Sequence, residues 1–291
     1  MEEIYDLIRG RATCRSYKPD PIPDEVLNRV LEAGCQSPSS GGFQAISIIK
    51  ITDPALRRKL VDFSRGQKFL AVAPVSLVFC VDYRRIGQVI AREPAPFRLP
   101  DQFRNLMMGV TDAAICAQTM VLAAQAEGLG SCYNGNILNK LEAFSALLGL
   151  PEKVFPVVML TLGYPKTVHR QPPKYPAALL VHENGYQERT GEEVYAAYRK
   201  QNRWQKLPAR PDWVERCCAL AEELRGAEYA AVVRRDIEEK GYMGPYQYWF
   251  GCYYLDEPDY MTNTDYLAYF RKQGFAWLEE KERITHEKSE S

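Results

Sequence analysis

The chain has 291 residues, 46% of them hydrophobic, enough for one large domain or two ordinary ones around a sizeable buried core. Lysine plus arginine and aspartate plus glutamate both total 37, so there is no global field to draw in nucleic acid or an acidic membrane surface, and neither is an expected partner. The opening MEEIYDLIRGR is acidic and amphipathic, unlike a signal or transit peptide, and the eight scattered cysteines lack CxxC spacing, which predicts reduced thiols and a cytoplasmic location.

Residues 2 to 9 read as a short helix. PDEVLNRVLEAGCQSP predicts a stronger one, with Pro23 in the first turn, Asp24 and Glu25 at the positive end of the dipole, Val26, Leu27, Val30, Leu31 and Ala33 on one side, and Pro38 as the stop. AISIIKI (45–51) and VSLVFCVD (75–82) are β-branched runs between breakers and predict strands buried on both faces; FPVVMLTLGYP (155–165) is a third strand. A long helix from about Asp101 to Glu127 carries Phe103, Leu106, Val110, Ala113, Ala117, Val121 and Ala124 at helical spacing. Its apolar half, AAICAQTMVLAAQA, falls short of the ~20 residues a membrane span needs and reads as a buried helix whose small residues allow close packing, including across a subunit boundary. Beyond Val181 come a helix at 191–201, a proline-interrupted connector at 204–213, a charged amphipathic helix at 213–240, the aromatic run GYMGPYQYWFGCYYLDEPDY, and a last helix ending YFRKQGFAWLEE.

Chemistry is concentrated in three stretches. In RGRATCRSY, Arg9, Arg11 and Arg15 fall within seven positions of a neutral chain; guanidinium forks match phosphate oxygens and Thr13 adds a hydroxyl, although a solvated helix end paired with nearby acids is the alternative. QSPSSGGFQ (36–44) is a polar, glycine-bearing loop before a strand. GLGSCYNGNI (128–137) fails GxGxxG because Tyr133 stands where the third glycine belongs, so no dinucleotide fingerprint is present. There is no P-loop and no GxSxG, and the three histidines have no ligand spacing, so neither nucleotide hydrolysis, a catalytic triad nor a metal site is expected.

In this order the pieces resemble the FMN-dependent nitroreductase family. RATCRSY (11–17) is similar to its Arg-Arg-Ser-x-Arg-x-Phe/Tyr opening, SPSSGGFQ to its Pro-Ser loop, FLAVAPVSLVFCVD to its Ala-Pro strand, and GLGSCYNGNI with LGLPEKVFPVVMLTLGYP to its glycine loop and Gly-Tyr-Pro strand end. GQKF (66–69), PPKYP (172–176) and VHENGYQ (181–187) resemble the larger NADPH-dependent nitroreductase and flavin reductase branch. Similarity covers about residues 2 to 201 and resumes at 264–277, with no counterpart placed for 203–262.

The resemblance implies an α+β fold, a mixed sheet flanked by helices, in an intertwined homodimer holding FMN at the subunit boundary. It divides the chain into a core at 1–202, an inserted helical and aromatic-rich segment at 203–262, and a C-terminal helix and tail at 263–291. Carried over by position, Arg11 and Thr13, flanking Ala12, hold phosphate or ribityl oxygens. Arg15 faces the flavin N1/O2 edge, and Ser39 and Ser40 bind from the partner subunit. Gln67 bonds the N3/O4 side, Asn134, Gly135 and Asn136 pass main chain close to the ring, and Lys174 reaches the phosphate. The pattern departs at Ala12, where Arg or His is common, at Gly42, where Asn is frequent, and at Pro172, where Lys is usual, with Arg170 as the compensating cation. Arg203 and Arg210 lie where the branch places basic residues for the NADPH 2′-phosphate.

The implied activity is transfer of two electrons from NADPH or NADH through flavin N5 to a planar nitroaromatic, quinone or flavin in a ping-pong cycle, with no side chain acting as acid or base. An FMN-binding carrier or sensor, or an interaction protein with little turnover, is the alternative. The aromatic run reads either as a lid over the substrate channel or as a structural arm.

Overall fold

A computed structural model describes residues 2–254, 259–275 and 277. The chain divides into two compact units, Met1–Gln171 with Asp259–Ser291, and Pro172–Pro258; the sequence-based division had placed the first boundary at residue 202.

The first unit is an α+β structure. Helices α1 (Glu2–Gly10) and α2 (Asp24–Cys35) precede strand β1 (Ile46–Ile51), helices α3 (Pro54–Leu60) and α4 (Phe69–Val72), strand β2 (Val75–Asp82), and helices α5 (Tyr83–Ile90) and α6 (Phe103–Ala126). Strand β3 (Gly130–Asn134), helix α7 (Leu141–Leu147) and strand β4 (Val154–Gly163) follow. The strands lie in the order β1-β2-β4-β3, every neighbouring pair antiparallel. This corrects the expected mixed sheet: among the described residues the one parallel pairing is an isolated bridge between Thr13 and Ser131.

Position in the sheet explains the burial of each strand. All eight residues of the central β2 are buried, as its unbroken apolar run requires, whereas β1 has only Ile51 fully buried because it is an edge strand. Pro156, which has no N–H to give, sits in β4 where the register slips between Phe79 and Cys80, the kind of bulge at which a sheet tolerates proline.

Helix α6 is long and apolar enough to cross a membrane, but ten of its residues are buried and it is a core helix. Its Ala113, Ala117, Met120, Val121 and Ala124 join Val26, Leu27 and Val30 of α2 and Leu77, Phe79, Leu160 and Leu162 of the sheet in one apolar cluster. The chain re-enters this unit after residue 258. Helix α13 (Asn263–Lys272) starts at a capping box between Thr262 and Asp265, and its Tyr269, followed by Phe275, packs with Phe155 in another cluster. The LEE end of the predicted last helix lies outside the described residues.

The second unit contains α8 (Ala177–Leu180), α9 (Gly191–Gln201), β5 (Leu207–Pro208), α10 (Pro211–Arg225), α11 (Ala227–Lys240), β6 (Tyr242–Met243) and α12 (Pro245–Tyr248), followed by a π-helical turn at Trp249–Tyr253. Helix α9 has the bounds its sequence predicts, set by the Thr190–Glu193 capping box. The single helix predicted for 213–240 is instead two. Gly226 adopts φ 87°, a backbone that L residues avoid, so the helix ends and α11 folds back on α10. Val214, Cys217, Cys218, Ile237 and Met243 form a small core in this unit, while Leu224 of α10 is exposed. The aromatic run packs on itself, with Tyr246 against Phe250 and Trp249 against Tyr253, and on α10, with Tyr248 against Trp213.

Candidate functional site

The arginine-rich stretch leaves α1 and runs along the sheet edge. Thr13 bridges Ser131, the Cys14 N–H donates to the Ser131 carbonyl at 2.8 Å, and the Lys18 N–H donates to the Tyr164 carbonyl at 2.8 Å. The Tyr17 hydroxyl locks the stretch from beneath, lying 2.7 Å from the Cys14 carbonyl and 2.8 Å from Thr161 Oγ1. Burial drives this phenol far above the usual tyrosine range, so it stays a neutral hydrogen-bonding group. Two glycines of the motifs make the approach possible. A Cβ on Gly130 would lie 2.6 Å from Cys14 Cβ, and one on Gly163 would lie 2.8 Å from the Tyr17 ring.

Arg11 and Arg15 therefore stand beside β3. Burial raises the Cys132 thiol, and the positive charge of nearby Arg15 opposes that rise; Arg11 opposes in the same way the burial that pushes the Tyr133 phenol up to about 12. Neither guanidinium forms an ion pair with a carboxylate among the described residues.

At the end of β3 the chain turns through Asn134, Gly135 and Asn136. Asn134 is buried; its Nδ2 donates to Gln67 Oε1 at 3.2 Å and its Oδ1 accepts the Asn136 N–H at 3.1 Å, so residues distant in sequence are joined. Gln67 follows a tight bend in which Arg65 and Gly66 have φ 55° and 73°. Gly135 differs from Gly130: a Cβ there would meet nothing within 4 Å, so packing among the described residues does not account for the glycine.

The serine loop lies elsewhere in the chain's own structure. The Ser40 N–H and hydroxyl donate to the buried carboxylate of Asp112 on α6, at 3.0 and 2.9 Å, and Ser39 Oγ accepts the Gln44 N–H at 3.1 Å. These bonds do not link Ser39 or Ser40 to Arg11, Thr13, Arg15 or the Gln67–Asn134 pair. Asp112, the one acid in LMMGVTDAAICA, was not singled out from sequence; its isolation in an apolar helix was the available signal.

Arg170 is exposed in the stretch after β4. In the second unit, Lys174 is exposed ahead of α8, Arg203 stacks on Trp204 at 4.9 Å, and Arg210 is held by both oxygens of Asp212 at 3.1 and 2.9 Å.

A nitroreductase family model matches residues 8–164, more than half of the chain and all of the sheet. The chain belongs to the nitroreductase family. It is accordingly an oxidoreductase, and the Arg11–Tyr17 segment, β3 and its turn all lie within the matched nitroreductase region. An oxygen-insensitive NADPH nitroreductase from Salmonella typhimurium is 37% identical over 201 residues, 69% of this chain and 81% of that protein. Among solved structures, the NADPH:FMN oxidoreductase from Vibrio harveyi complexed with NAD+ superposes with a TM-score of 0.64 at 31% identity, covering 68% of this nitroreductase and 84% of that chain. NfrA2 from B. megaterium superposes with a TM-score of 0.71 at 25% identity, covering 97% of this chain and 100% of that one. That coverage takes in most of 203–262, for which sequence alone had placed no counterpart.

Proposed function

We propose that this nitroreductase is an FMN-dependent enzyme that passes two electrons from NADPH or NADH to a small planar oxidant: a nitroaromatic, a quinone or a flavin. The observation that carries the reading is the pair of guanidiniums, Arg11 and Arg15, held beside β3, the strand that runs into the Asn134–Asn136 turn, without carboxylate partners among the described residues. An anionic cofactor supplies what they lack, and the open space at Gly135 admits a flat ring close to the backbone. The names of the relatives, an NADPH nitroreductase and an NADPH:FMN oxidoreductase, support the donor and the cofactor.

Bound FMN supplies the redox chemistry, a two-electron relay through N5 in a ping-pong cycle. Arg11 and Thr13 hold phosphate or ribityl oxygens, and Arg15 lies at the N1/O2 edge, where a cation stabilises the negative charge of the reduced ring and raises its potential. Gln67, oriented by Asn134 through its Oε1, keeps its Nε2 to donate to the N3/O4 side. Asn136 holds the turn through Asn134, and Arg170 and Lys174 add positive charge for the phosphate. Arg203 and Arg210 serve the 2′-phosphate of NADPH, Arg210 exchanging Asp212 for it.

The working form is a homodimer in which Ser39 and Ser40 face the partner's flavin. Ser40 donates its hydroxyl hydrogen to Asp112, so its oxygen serves there as an acceptor. Helix α6 leaves Met107, Met108 and Ile115 exposed on the side away from the core, an apolar face suited to burial between subunits.

The test is the visible spectrum of the purified protein, followed by anaerobic titration with NADPH. A yellow protein that bleaches with one equivalent of donor per FMN, and recovers its colour with menadione, is the expected result. A protein that takes up no FMN would refute the reading, and one that binds FMN without oxidising NADPH in the presence of menadione would be a carrier.

A further inference from the structure

The extended stretch after α1 has a second face. Gly10, Ala12 and Cys14 line a cavity of about 520 Å³, whereas Arg11, Thr13 and Arg15 do not, the alternation an extended backbone imposes. Ala12, which stands between Arg11 and Thr13, thus faces the other way, and its short side chain leaves the cavity open.

The far wall is built by the pairing of this stretch with the end of β4. Tyr17 and Pro165 form an antiparallel bridge, with the Lys18 N–H donating to the Tyr164 carbonyl and the Lys166 N–H to the Ser16 carbonyl at 2.9 Å. Residues on either side of a bridged pair share one face, so Lys18 and Lys166 both border the cavity while Tyr17 points into the core. His169 is the third basic residue of the lining, and its Nε2 is buried without a hydrogen-bond partner among the described residues. No aspartate or glutamate lines the cavity, and neither lysine is paired with a carboxylate among the described residues.

Two ammonium groups and an unpartnered imidazole nitrogen around a cavity without acids are complementary to a compact, multiply charged anion. We infer that this cavity is an oxyanion seat for a phosphate-type group, with Lys18 and Lys166 as its cations and His169 as its inner polar contact. The group has two sources: a free phosphate-type anion, or the phosphate end of the flavin cofactor reaching past Ala12. Only the second source rests on the flavin reading.

The experiment compares the full-length protein with the double variant Lys18→Gln/Lys166→Gln, with His169→Ala, and with Lys59→Gln, an exposed lysine on α3, as control. Thermal midpoints are measured against inorganic phosphate at constant ionic strength, and dissociation constants are measured for FMN and for riboflavin, which lacks the phosphate. Phosphate is expected to raise the midpoint of the parent protein, and the double variant to weaken its apparent affinity by about tenfold, the worth of one charge-assisted hydrogen bond. His169→Ala is expected to weaken it in the same sense. A phosphate effect that persists with FMN saturating, with FMN affinity equal in parent and double variant, identifies the free anion. A tenfold loss for FMN with riboflavin unchanged identifies the cofactor's phosphate. The inference is overturned if the double variant alters neither, or if Lys59→Gln has an equal effect. Failure of the parent to bind FMN at all would sink the flavin reading while leaving the phosphate-dependent midpoint to decide the seat.

Discussion

Replacing Gly130 with alanine tests whether the arginine segment depends on contact between two backbones. The new Cβ would lie 2.6 Å from Cys14 Cβ and 2.8 Å from its Sγ, where ordinary contact begins at 3.4 Å. The segment must therefore retreat by roughly 0.8 Å, which stretches the 2.8 Å bond from the Cys14 N–H to the Ser131 carbonyl past hydrogen-bonding range. Overpacking and a lost buried hydrogen bond together cost roughly 2–4 kcal/mol. Urea unfolding followed by circular dichroism should show a lower midpoint with an unchanged slope, and fluorescence titration should show FMN affinity reduced by about tenfold as Arg15 moves with Cys14. Cys14→Gly removes both clashing atoms and should restore part of the loss when combined with Gly130→Ala, although each substitution alone destabilises. Wild-type stability and FMN affinity in Gly130→Ala would refute the clamp, and strict additivity in the double variant would show that the two residues do not press on one another.

Tyr17→Phe removes the hydroxyl that ties Cys14 to Thr161 and should cost about 1–3 kcal/mol by denaturant unfolding. Burial raises the phenols of Tyr17, Tyr83 and Tyr269, the last two to about 12, so the folded protein keeps protons that the unfolded chain releases; stability should be full below about pH 10 and fall as the pH climbs from there toward 12, less steeply in Tyr17→Phe. Asp112→Ala strands the Ser40 N–H and hydroxyl and should lower stability by about 2 kcal/mol, while Asp112→Asn, which keeps an acceptor, should lose less. Alanine at both Arg203 and Arg210 should raise the apparent KM for NADPH far more than for NADH in steady-state assays; equal effects on the two donors would count against their role.

Much of this architecture is legible in the sequence because local signals and tertiary packing agree. Helix α2 has its acids, apolar stripe and breakers in register, and α9 has a capping box at its start. The arginine and glycine motifs led to the segment that the fold brings beside β3. Strand β3 itself was hidden: GSCYN is short, begins with glycine and alternates little, and it is a strand because β4 offers it a partner. The break at Gly226 was masked by an amphipathic pattern that continues on both sides of it. The exposure of β1 could not be read because its apolar run matches that of β2, and only the order of strands makes one an edge and the other a centre. Asp112 and the alternate face of the arginine stretch were missed for a related reason, since both acquire meaning only from a neighbour far away in the chain.

The return of α13 to the first unit has a consequence for how the polypeptide is made. The Lys153 amide finds the Gln273 carbonyl at 2.8 Å, and Phe155 is flanked by Phe270 and Phe275, so the start of β4 is finished by residues synthesised more than a hundred positions later. A nascent chain stalled on the ribosome before Asp259 emerges would carry those apolar surfaces uncovered, an invitation to chaperone binding that lasts until α13 and Phe275 emerge.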